Sequence, residues 1–380
     1  MLNILAAILL FGFIIMFHEL GHFLLAKLNG VAVVELSIGM GPRLCSFQGK
    51  ETRYSLKVLP LGGSCAMADE DTDSGNPNGF LNKPVWSRIA VIAAGPIFNF
   101  ILALIFGIII VAYTGYDLPI INNVLEGYPA KEAGLEPGDR ILSINGQKMM
   151  GYRDLSMFLQ LHPDEVLTVK YGRLNAKERE GDAASQAEGL ASGDMSLASS
   201  WYADRPDYQT FTTTLSAKYN EETQTYMMGI EHMPDYHPAR GILHLFQLGW
   251  HEVMFQGRAA IESFGLLFRG YVGTEDLGGP VRIVADIGEV VEQVRPAGWL
   301  SVILTLMNMG VILSASLGAM NLLPIPALDG GRLVFLLIEA VRGKAIDQEK
   351  EGMIHMAGMM LLMGLMLVIM FNDIRNLIFR

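Results

Sequence analysis

Two histidines and a glutamate, His18, Glu19 and His22, set out the pattern H-E-x-x-H inside an almost uncharged apolar run from Leu2 to Ala26. Histidines at i and i+4 share one helix face, so their ring nitrogens can close on one zinc ion. The glutamate beside the first histidine can polarise a water at that metal. The pattern is short, and a pair of helix histidines with hydrogen-bonded partners would also fit it. The setting favours chemistry, because ionisable side chains in a membrane-length helix are costly and are kept where they function.

The elements that must hold this triad are themselves apolar. The chain has 380 residues, of which 51% are hydrophobic, and its mean hydropathy is +0.33. Four runs, about Leu2–Ala26, Ile89–Tyr113, Leu300–Leu323 and Met353–Phe371, match the roughly 20 helical residues that a bilayer core of about 30 Å requires. A net charge of −11 argues against a nucleic-acid partner. Cys45 and Cys65 are the only cysteines, which implies no disulfide framework and suits ordinary small apolar residues. The first run lacks a basic leader, exceeds the length of a signal-peptide core and carries His-Glu-His where a cleavage site would lie, so it reads as a retained span.

Lysine and arginine crowd the segment between the first two runs, from Lys27 to Arg88, and the segment after the third, from Arg332 to Lys350. By the positive-inside rule both face the cytoplasm. Both termini and the long polar region are then extracytoplasmic. A rise of 1.5 Å per residue puts His18 roughly 24 Å from Leu2, within the membrane and nearer the cytoplasmic side.

The connecting segments read in turn. Val31–Ile38 and Thr52–Leu59 are β-branched or alternating, with turn signals at Gly39–Pro42 and Pro60–Gly63. They predict strands and hairpins close to the membrane, either a structural sheet or an edge that pairs with an extended substrate. The acidic loop Asp69–Asn78 reads as solvated. Trp86 and Arg88 suit an interface. Gly95-Pro96 and Asn99, inside the second span, read as packing around the site, with Asn99 a candidate hydrogen-bonding and substrate-binding residue.

The polar region from Tyr116 to Met233 contains Val124–Gly146, with Gly127-Tyr128-Pro129-Ala130, Ala133-Gly134-Leu135 and Gly138-Asp139. This stretch resembles a PDZ domain of the bacterial kind, in which backbone N–H groups of the Gly127–Ala130 loop would receive a C-terminal carboxylate. Phe211–Leu215 and Tyr226–Ile230 would be its closing strands. Arg173–Asp207, rich in Ala, Ser, Gly and Asp, reads as a flexible insertion. Ile242–Gly270 is amphipathic helical, and its His244 and His251 read as surface or interface residues. A turn at Gly278–Pro280 leads into another helix.

The third run ends in Asn321-Leu322-Leu323-Pro324-Ile325-Pro326-Ala327-Leu328-Asp329-Gly330-Gly331-Arg332. Two prolines break the helix and two glycines let the backbone turn. Asp329 could cap the exit turn, pair with Arg332 or ligate a metal. With H-E-x-x-H in the same membrane, a third ligand accounts for most. His355 in the fourth run is not read as a ligand.

H-E-x-x-H in the first span, N-x-x-P-x-P-x-L-D-G-G at the third, and a PDZ-like insert between the second and third together resemble the site-2 protease family of intramembrane zinc metalloproteases, in its bacterial RseP-like branch. The resemblance implies a multi-pass α-helical membrane protein with four transmembrane helices, a membrane-re-entrant β-hairpin over about 31–67 and an inserted extracytoplasmic PDZ domain of α+β type. The membrane halves would be 1–115 and 299–380, with the PDZ domain at 116–235 and amphipathic helices at 236–298. It implies Zn2+ held by His18, His22 and Asp329, Glu19 as general acid and base, and Asn321 and Pro324 near the substrate strand. Many members carry two PDZ domains in tandem where one is found here. The implied partners are single-span membrane proteins, such as a trimmed anti-sigma factor or a remnant signal peptide, in the lipid bilayer of the bacterial inner (cytoplasmic) membrane. A membrane-anchored PDZ adaptor without catalysis is the alternative, and a transporter with a metal in its path is a further rival.

Overall fold

The computed structural model describes residues 2–70, 74–163, 165–174, 209–221, 225–234, 236–269 and 278–378. Two compact units emerge, one of Met1–Gly107 with Glu252–Arg380 and the other of Ile108–His251.

Helix α1, Leu2–Leu28, is apolar on nearly every face. It ends where the Asn29 amide donates to Leu25 O and Gly30 takes φ +69°, a left-handed helix stop. Strands β1, Val33–Gln48, and β2, Arg53–Met67, form one antiparallel hairpin, from Val33 opposite Met67 at its root to Gln48 opposite Arg53 at its tip. The hairpin also folds back on itself, so that Leu36 and Ser37 face Tyr54 and Ser55 as well as Cys65 and Ser64. The turn signals at Gly39–Pro42 and Pro60–Gly63 therefore mark a bend within continuous strands, not strand ends. Gly39, Gly41 and Gly62, all at positive φ, let the ribbon curl there.

Helix α2, Val85–Thr114, carries Pro96 in its interior. It crosses α1 closely, since a Cβ on Gly21 would lie 2.5 Å from the Ala94 carbonyl oxygen. Arg88 is buried against Glu339 in a bidentate pair, while Trp86 is exposed.

In the second unit, β3 (Tyr116–Asp117), β4 (Asn123–Val124) and the short α3 (Pro129–Glu132) lead into β5 (Arg140–Ile144), β6 (Gln147–Lys148), α4 (Tyr152–Leu161), β7 (Val166–Arg173) and β8 (Gln209–Ser216). These build a four-stranded sheet in the order β6-β5-β7-β8. Leu167, Val169 and Tyr171 alternate inward along β7 and join Ile141, Ile144, Leu155 and Phe158 in the core. Strands β9 (Lys218–Asn220), β10 (Thr225–Met227), β11 (Ile230–Glu231) and β12 (Tyr236–His237) close the unit, β11 pairing with β4 and β12 with β3. The first expected closing strand, Phe211–Leu215, lies within β8, whereas the second, Tyr226–Ile230, is divided between β10 and β11. Of the expected insertion, Arg173 belongs to β7 and 175–207 lies outside the described residues. The Ala130 N–H, expected to be offered to a carboxylate, donates instead to Met228 O at 2.9 Å.

The chain continues through α5 (Gly241–Arg269), α6 (Pro280–Val294) and α7 (Trp299–Asn321) to α8 (Asp329–Arg342) and α9 (Gln348–Ile378). Helix α8 is not expected from the sequence, and α9 begins before the anticipated Met353. Ile14 and Leu10 of α1 pack with Leu102 of α2, Ile287 and Val291 of α6 and Val302 of α7. A second core joins Val31, Val33, Cys65 and Met67 to Val91, Ile92 and Leu336. Cys45, by contrast, is exposed. Among the described residues, four helices are long and apolar enough to cross a membrane: Leu5–Leu28, Val85–Thr114, Trp299–Asn321 and Gln348–Asp373.

Candidate metal centre

Helical spacing on α1 sets His18 and His22 one turn apart with their Nε2 atoms 3.2 Å from each other. Asp329 Oδ2 lies 3.2 Å from His18 Nε2 and 3.5 Å from His22 Nε2. Among the described residues these three form the group able to hold a metal ion, with one donor atom each within 4.8 Å of the others. Asp329 is not a helix C-cap. It is the first residue of α8, where the helix dipole favours a carboxylate. Arg332 of the same motif pairs with Glu70.

The donor set fits a divalent zinc-like ion on two grounds. Asp329 Oδ2 is buried without a hydrogen-bond partner, which suits an oxygen that ligates a cation. The ring atoms turned away from the centre are also engaged. His22 Nδ1 bonds Val91 O at 2.9 Å, which fixes its proton on Nδ1 and leaves Nε2 free to coordinate.

His18 Nδ1 lies 3.1 Å from the Asn99 side-chain nitrogen, while Asn99 Oδ1 is buried with no partner. With the amide turned by 180°, Oδ1 faces His18 Nδ1 and Nδ2 takes the buried position without a partner. Oδ1 then accepts a proton from His18 Nδ1, which again frees Nε2. Amide orientation is assigned from such networks. Asn99 is fully buried and its own carbonyl accepts from Ser314 Oγ at 2.8 Å, so it is locked between α1 and α7. It therefore lies behind a histidine, among the residues packed around the site where the sequence places it.

Glycines make the room. A Cβ on Gly95 would overlap the His22 ring and come within 2.7 Å of His18, and one on Gly63 would lie 2.7 Å from Glu19 Cγ. Glu19, one residue from His18, also accepts a hydrogen bond from the Cys65 backbone. The β hairpin thus forms the wall beside the glutamate. Asn321 ends α7 half-buried and Pro324 is exposed in the loop between α7 and α8.

The model of Peptidase family M50 matches residues 6–365, which include every residue of this centre. The chain belongs to peptidase family M50. The peptidase is 33% identical over 372 residues to a protein of Clostridium acetobutylicum, with 98% of this chain and 97% of that one covered. It is 31% identical to the zinc metalloprotease RasP of Geobacillus kaustophilus, with 98% of each covered. It is 30% identical to the regulator of sigma-W protease RasP of Bacillus subtilis, with 99% of each covered. It is a zinc metalloprotease of the site-2 type and a multi-pass membrane protein.

Several residues that shape the peptidase's centre do not stand out in the sequence. Gly63 reads there as a strand stop, whereas Gly95 reads as packing around the site and lies against His18 and His22. Arg88 reads as an interface residue, although its partner Glu339 ties α2 to α8. For α8 itself a signal is present, since Leu333–Ile338 is apolar and Gly343 takes φ +68° just past Arg342, the usual glycine stop.

Proposed function

We propose that this peptidase hydrolyses peptide bonds within or near the transmembrane segments of single-span proteins, with zinc held by His18, His22 and Asp329 and with Glu19 as general base and acid. The observation that carries the reading is the convergence of His18 Nε2 and His22 Nε2, from a helix of membrane-spanning length, with Asp329 Oδ2 of α8 within 4.8 Å and with Glu19 adjoining. Zinc, when bound, polarises the scissile carbonyl and acidifies water at the site. Glu19 takes the proton of the attacking water on its carboxylate and passes it to the departing amine. Asn99 and the Val91 carbonyl keep the two imidazoles in the tautomer that presents Nε2.

A transmembrane substrate hides its amides in helical hydrogen bonds and must be unwound to react. Strand addition to the hairpin, whose Gly63 touches Glu19, would hold it extended. The exposed apolar side chains Met40, Leu44, Phe47 and Val58 on that hairpin support its lying in the membrane as a re-entrant element. The four-stranded sheet with α4 supports reading the second unit as the PDZ domain. On the charge distribution this domain and both termini are extracytoplasmic in a bacterial inner membrane. A relative bears the name regulator of sigma-W protease, which supports a trimmed anti-sigma factor as substrate class. Remnant signal peptides share the same single-span chemistry.

The test is co-expression with a tagged, pre-trimmed single-span anti-sigma factor, comparing the natural chain with Glu19→Gln. Cleavage only by the natural chain is the expected result. Equal cleavage by both would remove Glu19 from the mechanism. Deleting 117–233 should in addition let untrimmed substrate be cut, and intact untrimmed substrate would overturn a filtering role for the second unit.

A further inference from the structure

We propose that His355 of α9 is a positioning residue for the metal centre, acting through the backbone of the loop that carries Asp329; this rests on Asp329 being a ligand. The loop between α7 and α8 turns at Ala327, whose φ of +76° is a left-handed conformation unusual for a residue with a side chain. Such a conformation persists only where the surroundings fix it.

The Ala327 N–H donates to His355 Nδ1 at 3.0 Å. One turn further along α9, Gly358 meets the same loop, since a Cβ there would lie 2.5 Å from Pro326 Cβ and 2.8 Å from Pro326 O. The His355 ring is itself held edge-on by Phe335 of α8, with centroids 5.6 Å apart, and its Nε2 lies 3.9 Å from Glu351. The bond at Ala327 falls two residues before Asp329. Both Asp329 and His355 line one cavity of about 570 Å³, with Arg332 and Glu351 also in its wall.

The fourth span thereby does more than anchor the chain. It clamps a strained turn whose next residues deliver a carboxylate to the two histidines. A carboxylate delivered by a released loop would be placed less well, and support of this kind behind a metal ligand is worth on the order of 10–100-fold in metal affinity.

The test uses the full-length purified peptidase and measures zinc retention against a graded chelator, together with kcat and KM for a single-span substrate. His355→Asn keeps an acceptor close to the Nδ1 position, whereas His355→Leu has none and fills similar space. The expected result is that His355→Leu weakens zinc retention by about 10-fold or more and lowers kcat more than it raises KM, while His355→Asn restores most of both at comparable thermal stability. Natural zinc retention in His355→Leu, or equal loss in the Leu and Asn variants, would overturn the proposal. Asp329→Asn is the control for the underlying reading. If that variant kept zinc, the ligand assignment itself would fail. If it lost zinc while His355→Leu did not, only the positioning role would.

Discussion

Gly63 of the hairpin lies against Glu19 of the first helix so closely that a methyl group there would sit 2.7 Å from Glu19 Cγ and 2.9 Å from Ile15. The hairpin and the glutamate are therefore positioned by one another. Gly63→Ala should displace Glu19 or lift the strand without touching the zinc donors. A displacement approaching 1 Å costs roughly 100-fold in rate. Assays of kcat/KM alongside zinc content should show the first falling by that order and the second unchanged. Parallel loss of zinc would show that the hairpin supports the metal centre instead.

Asn99 offers a different separation. Replacing it with Leu removes the acceptor behind His18, and we expect zinc affinity to fall roughly 10–100-fold. Asn99→Asp retains an oxygen that can accept the Nδ1 proton and should retain more zinc than the Leu variant. Competition with a chromogenic chelator reads both. Equal retention in the two variants would argue that the asparagine matters for packing alone.

The pair between Arg88 and Glu339 is mostly shielded, with side-chain exposures of 9% and 16%. Breaking one partner of such a pair costs about 3–5 kcal/mol, whereas replacing both with apolar residues costs far less. Arg88→Met alone should lower the thermal midpoint in detergent more than Arg88→Met with Glu339→Met. A double variant less stable than the single would contradict this account of how α2 and α8 are joined.

The two cysteines should differ sharply in reactivity. Burial, with the nearby Glu19 charge adding to it, pushes the Cys65 thiol up to about 12, and only the thiolate is nucleophilic. Cys45 is exposed on the hairpin. N-ethylmaleimide, which permeates apolar phases, should modify Cys45 before Cys65 in the folded peptidase and reach Cys65 fully only once denaturant is added. Mass spectrometry of digests checks it, and early labelling of Cys65 would mean that the hairpin opens readily.

How far the sequence could be read depended on whether the information was local. His18, Glu19 and His22 are fixed relative to one another by helix geometry, so their spacing inside a membrane-length apolar run marks a candidate centre. Asp329 stands out in its motif as a candidate third donor, yet its place at the start of α8 does not. The prolines and glycines around it signal a break but do not specify the element beyond it. The glycines at 39, 41 and 62 carry the signal of strand ends. They are sites of curvature, and only the cross-strand pairing that surrounds them distinguishes the two. Arg88 with Glu339, Arg332 with Glu70 and Ala327 with His355 join residues far apart in the chain, and such partners leave no trace in local spacing.

The donors of the centre come from α1 and α8, the first helix and the last but one. A ribosome delivers His18, Glu19 and His22 early, and the nascent chain then carries only two imidazoles and a glutamate. Two neutral ligands hold zinc far less firmly than a complete set with its carboxylate. On the proposed ligand set, the chain holds a complete set of donors only once the loop bearing Asp329 has been synthesised.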